Sequence, residues 1–234
     1  MFALERIISI ALLVICLLGM NTVYADSDIS VERDMLTELN IIDESYLSNS
    51  NTVTRAECIV AITRVIGVTN EDIEKLNGAD FVAFEDTDSY SYFGCAYRAK
   101  IAYGEECIVD YPTYRTSHTG KNTDFFFFPN RAATVKETLA FMVRCLQSDK
   151  TDFDLILEKA KDNGLINDKD DFIQNLNDFI SQDNFFVLLE RLLQQKRYKY
   201  YDRENNRFKM EGNIDEERCM TYLEFLTQRQ MAEQ

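Results

Sequence analysis

The chain has 234 residues, 40 of them acidic against 25 basic, for a formal net charge of −15. Such acidity argues against nucleic acid, whose phosphates need clustered Lys and Arg. It equally argues against a general attraction to an anionic polymer, so any anionic ligand has to be met by a local site.

Met1 to Ala25 reads as a secretory signal peptide. Arg6 precedes an apolar run from Ile7 to Met20, and Val23-Tyr24-Ala25 offers a cleavage site. The run is short for a membrane span, which needs about 20 residues. Glu5 weakens the basic region, so retention as an uncleaved anchor stays open as the alternative. Just over 200 residues then remain, enough for one compact domain or three small repeats sharing a core.

The first helical stripe is Val31, Met35, Leu36 and Leu39, before Ile41-Ile42. Thr54 follows with Glu57 three residues on, a capping box in which the hydroxyl accepts from first-turn N–H groups and the glutamate reaches back. Val53 is placed to pack on Cys58 as a hydrophobic staple. Cys58, Ile59, Ile62, Val65 and Ile66 then share one helical face, and Gly67 is placed for a left-handed cap.

The pattern returns twice. A stripe at Phe93, Ala96, Tyr97 and Ile101, ending near Gly104, precedes Thr134, Glu137 and the face Thr138, Leu139, Met142, Cys145 and Leu146. Phe153, Ile156, Leu157 and Ala160, closed by Asn163-Gly164, precede the cap Ser181 and the face Phe185, Phe186, Leu189, Leu192 and Leu193. Arg64, Arg144 and Arg191 fall in register and read as partly exposed arginines favoured by the helix dipole. A repeat of this kind decides the fold before anything else.

Between these elements, 108–130 reads as a surface excursion, a short β-hairpin whose phenylalanines Phe125 to Phe128 either return to the core or form an exposed patch for a partner. After Lys196, Tyr198 to Tyr201 is strand-like, Asn205-Asn206 offers a turn back toward Phe208 and Met210, and a last helix is expected from about Asp215 to Gln230. The roughly 38-residue tail is too small for an independent enzyme core.

The stretch VTRAECIVAITRVIG, 53–67, resembles the C-terminal half of an S-layer homology (SLH) motif, whose hallmark is a TRAE-like tetrapeptide opening a helix. FEDTD at 84–88 is similar to the start of such a motif, and the F-x-P turn before its second helix resembles the FFPN run at 127–130. The second and third copies read TVKE and SQDN, and tryptophan is absent. The resemblance implies an all-α fold of three helix–loop–helix repeats around a pseudo-threefold core, with a small β-hairpin and a C-terminal helix. Its divisions are a signal peptide 1–25, repeats 26–83, 84–148 and 149–197, and an extension 198–234.

What the family implies functionally is a secreted protein held non-covalently at a bacterial cell wall or S-layer by an acidic, pyruvylated secondary polysaccharide. Arg55 carries that role over. It stands at the first helical position, where free N–H groups favour an anion and a guanidinium fork adds bidentate recognition. Thr54, Glu57 and Lys136 complete the candidate ligand-binding set, with Glu57 and Glu137 read first as caps. The rival reading is a degenerate scaffold contacting an envelope protein.

No enzyme is expected. His118 is the only histidine and has no partner motif. Asn167 to Asp171 lacks the glycine and glutamate of a calcium loop, with Ile173 and Phe179 in their places, and reads as a solvated turn. Neither a metal nor a cofactor is implied. Five cysteines follow the signal peptide; Cys58 and Cys145 read as small core hydrophobes, and Cys95 with Cys107 is the pair to watch for a disulfide.

Overall fold

The computed structural model describes residues 29–43, 51–76, 84–87, 91–108, 123–147, 152–211 and 219–233. The signal-peptide reading, His118 and most of the 108–130 excursion lie outside them. In chain order the helices are α1 (Ile29–Glu38), α2 (Arg55–Val65), α3 (Asn70–Leu76), α4 (Tyr92–Arg98), α5 (Val135–Cys145), α6 (Ile156–Asp162), α7 (Gln182–Gln194) and α8 (Tyr222–Ala232). Strands β1 (Glu105–Ile108) and β2 (Thr123–Phe126) form one antiparallel pair, and β3 (Lys199–Asp202) and β4 (Arg207–Met210) another. The fold is mostly α with two small hairpins.

Thr54, Thr134 and Ser181 cap α2, α5 and α7 from extended backbone, and the two threonines make complete capping boxes with Glu57 and Glu137. The residue before each cap is fully buried, and the three are joined in a closed cycle. Val53 N–H donates to Ile180 O (3.2 Å), Ile180 N–H to Ala133 O (3.0 Å), and Ala133 N–H to Val53 O (2.8 Å). One step on, the first helical N–H of each helix, otherwise without an intrahelical acceptor, finds a carbonyl on a neighbouring segment. Arg55 donates to Arg131 O, Val135 to Asp178 O and Gln182 to Asn51 O, at 2.9, 2.9 and 3.0 Å.

Behind this ring the three apolar stripes are buried, with Cys58, Ile59, Ile62, Leu139, Met142, Phe185, Leu189 and Leu192 all inaccessible. Each of the three helices also takes a shorter one on its flank: α4 packs on α2, α6 on α5, and α1 on α7, which brings the beginning of the described chain against its third capped helix.

The three shorter helices stop in the same way. Asn40, Lys100 and Gly164 take φ of 55°, 57° and 67°, and the next N–H reaches back to Leu36, Ala96 or Ala160 O at 2.9, 2.8 and 2.9 Å, the left-handed helix ending. The second stop is therefore Lys100 and not Gly104. A Cβ at Gly104 would lie 2.8 Å from the Phe84 ring, so this glycine permits a close approach instead. Gly67 does adopt the left-handed form expected of it.

The late arginines correct the sequence reading. Arg144 and Arg191 are buried and Arg64 nearly so. Each sends Nη1 to the carbonyl that follows a left-handed stop: Arg64 to Ile41 O (3.3 Å), Arg144 to Ile101 O (3.2 Å) and Arg191 to Leu165 O (3.0 Å). They tie each capped helix to the end of the shorter helix preceding it in the chain. Asn167 to Asp171 is likewise more than a solvated turn, because Asp170 receives both terminal nitrogens of Arg191 at 2.7 and 2.9 Å.

The tail folds as the expected hairpin, but its helix begins at Tyr222, behind a capping box of Thr221 and Glu224; 219–221 are not helical. This tail covers the far ends of the capped helices, where carbonyls lack intrahelical donors. Tyr201 N–H donates to Ile66 O (2.8 Å), the Tyr222 hydroxyl lies within 3.0 Å of Cys145 O, and Tyr222 N–H donates to Gln195 O (3.1 Å).

Candidate functional site

Where the α2 cap meets the segment leading into α5, four charged side chains gather. Arg55 stands at the first position of α2, as expected, but its side chain is only 4% exposed and its fork is occupied. Nε donates to Phe127 O at 2.7 Å. Nη1 pairs with the Glu137 carboxylate, and Glu105 lies 3.6 Å away. The guanidinium also lies 4.5 Å from the Phe127 ring centroid, a distance at which the ring face attracts a cation. Arg131 completes the group, pairing with Glu105 and donating to Glu137 at 2.6 Å.

The elements set this geometry. The Arg55 N–H bond to Arg131 O holds α2 against the α5 approach, and β1 brings Glu105 over both arginines. Asp86 accepts the Phe127 and Phe128 N–H groups at 2.8 and 2.7 Å, which aims the Phe127 carbonyl at Arg55. Phe127 is fully buried among Phe84, Phe93 and Phe141. The phenylalanine run is thus split: Phe127 belongs to the core, whereas Phe125 is 51% exposed.

Charge divides into an inner and an outer layer. Glu137, 14% exposed, is shared by two arginines, which leaves one positive charge; the outer carboxylate that balances it, Glu105, is 44% exposed. Burial lowers the pKa of Arg55. Burial pushes the Glu137 carboxyl up, but the Thr134 N–H and the charges of Arg55 and Arg131 outweigh it and hold the group below the ordinary glutamate range.

A depressed folded pKa adds stability that is present above the unfolded value and lost as pH falls through the folded one. The melting temperature should therefore fall once pH drops below about 4.5. Glu137→Gln should show a shallower fall in thermal melts recorded across an acid series.

The remaining sequence candidates are placed differently. Thr54 and Glu57 engage each other, with Thr54 N–H and Oγ1 at 2.6 and 2.8 Å from Glu57 Oε2. Lys136 does not join Arg55. Its ammonium lies 3.6 Å from Asp154 and 4.5 Å from the Phe153 ring centroid, on the side of α5 facing α6. Arg131 and Glu105 escaped the sequence reading. Arg131 stands three residues before a cap, a position held by Asn51 and Asp178 before the other two, and that register was the available signal.

Chemically, the arrangement sets two guanidinium groups between an inner carboxylate and a half-exposed outer one. The buried thiols are poor nucleophiles: burial pushes Cys58, Cys95 and Cys145 up to about 12. Of the pair to watch for a disulfide, Cys95 is a free thiol, and the side chain of Cys107 lies outside what is described. Among the described residues no group of three or more His, Cys, Asp or Glu is disposed to hold a metal, and no helix is long and apolar enough to cross a membrane. No protein-family model matches the chain, and no curated protein or solved structure shows significant similarity to it.

Proposed function

We propose that this chain is a secreted module of three SLH-like repeats about a pseudo-threefold axis, which attaches non-covalently to an acidic polysaccharide of a bacterial cell wall and has no catalytic role. The observation that carries this reading is the pair Arg55 and Arg131 on one inner carboxylate. A glycan carboxylate takes the place of Glu105, the half-exposed outer partner, and gains two guanidinium groups. Exposed ion pairs contribute only about 0–1 kcal/mol, so displacing Glu105 costs little. The cyclic bonding of the three cap segments and the repeated stops and clamps support the repeat reading.

Sedimentation with cell-wall sacculi, with and without their acidic polysaccharide, tests it. Arg55→Ala is a poor probe, because it leaves Glu137 short of a partner and opens a void over Phe127. Arg131→Gln should weaken binding about tenfold, or ~1.4 kcal/mol; Glu105→Gln should tighten it. Thr54→Ala, the control, should lose about 1 kcal/mol of stability with the cap and keep its binding once folded. Failure of the wild type to bind, or equal binding by all variants, ends the proposal.

A second reading, a scaffold contacting an envelope protein, draws on Phe125 and Phe179, both more than half exposed. Capture of a partner that is lost in Phe125→Ser and retained in Arg131→Gln would favour it.

A further inference from the structure

A cavity of about 350 Å³ opens at the C-terminal end of α2, walled by the ends of α1 and α2, the start of α3, the β3–β4 turn and α8. Its chemistry begins with Asp72, which is fully buried. This carboxylate receives Arg203 Nε and Nη2 at 2.7 and 3.1 Å, Arg229 Nη2 at 3.0 Å and the Thr69 N–H at 3.0 Å. Arg203 and Arg229 come from the tail, 131 and 157 residues further along the chain.

Two guanidinium groups on one carboxylate leave an inner excess of one positive charge. The balancing group is Glu233, which pairs with Arg203 and lies 3.5 Å from Arg229. Its side chain is 50% exposed. On the facing wall Arg64 donates to the Tyr92 hydroxyl (3.1 Å) and to Asp43 (3.2 Å), a carboxylate 48% exposed. Each wall of the cavity thus sets arginine against a carboxylate about half exposed, Glu71 lines it as well, and Val68 and Leu226 supply apolar surface between the walls.

We propose that this cavity binds a small oxyanion, a carboxylate or a phosphate, which replaces Glu233 on Arg203 and Arg229 and meets Arg64 across the cavity. Planar guanidinium forks recognise both groups bidentately. The volume is at the lower end of the range for small-molecule sites, enough for a monosaccharide-sized anion. The cavity lies at the end of α2 opposite the Arg55 cluster, and nothing in its argument requires the wall-binding reading.

Isothermal titration with inorganic phosphate and with glucuronate, using glucose as the uncharged control, tests it on the full chain. The wild type should bind at least one of the two anions saturably and glucose not at all; which anion binds separates the two sources. Glu233→Gln, at a half-exposed position, should tighten that binding about fivefold. Glu105→Gln should leave it unchanged, and amide shifts on titration should centre on Thr69, Asn70 and Leu226. Absence of saturable binding in both the wild type and Glu233→Gln, no gain from Glu233→Gln, binding of glucose equal to that of the anions, or loss of the response in Glu105→Gln would overturn the assignment.

Discussion

Arg191→Met is expected to cost about 3–5 kcal/mol of folding stability, the usual penalty for removing one partner of a buried ion pair. Arg191 and Asp170 are both almost wholly enclosed, at 7% and 10% side-chain exposure. Loss of the guanidinium leaves the Asp170 carboxylate with only the Asn167 donors and the Leu165 carbonyl without its side-chain partner. Urea titration followed by far-UV circular dichroism checks the figure. A loss under 1 kcal/mol would mean that the clamp is dispensable. Arg64→Met should cost less, since its partner Asp43 is half exposed and keeps its contact with water when the guanidinium is removed.

Phe127→Ala should be comparably severe, at about 3–5 kcal/mol for deleting a buried aromatic side chain. The ring is inaccessible and touches Phe84, Phe93 and Phe141, with Arg55 over its face. Its loss removes the cation–π contact and opens a cavity under the guanidinium that positions Glu137. Phe125→Ala, two residues away on an exposed side chain, should stay within about 0.5 kcal/mol. Chemical denaturation of the two variants side by side gives the comparison, and equal effects would contradict the division of this run into a core residue and a surface residue.

What could be read from the sequence was what local chemistry writes locally. The caps at Thr54, Thr134 and Ser181 were legible because a cap and its partner lie three residues apart and the apolar face follows at helical spacing. The same rule, applied further, marks Thr69 with Asp72 and Thr221 with Glu224, and the latter would have placed the last helix at Tyr222. The Lys100 stop was not legible: a left-handed lysine is imposed by the packing of Ile101 and Ala102, both buried, and not by any preference of its own.

The ion pairs were least legible of all. Arg55 meets Glu137 across 82 residues and Arg203 meets Asp72 across 131. No periodicity encodes such partners, so an arginine at a helix entrance looked available when it was already enclosed. The late arginines misled in the same way. Helix-dipole reasoning placed them correctly near helix ends, but their acceptors are carbonyls just past the ends of other helices.

Hydrogen exchange at three amides tests the organising claim most directly. If Val53, Ala133 and Ile180 close one cycle, none can open without the others, and all three should exchange only through global unfolding, with equal protection and equal dependence on denaturant. Exchange of any one of them orders of magnitude faster than the other two, in protein whose α2, α5 and α7 amides remain protected, would show that the three capped helices are not joined at a common centre.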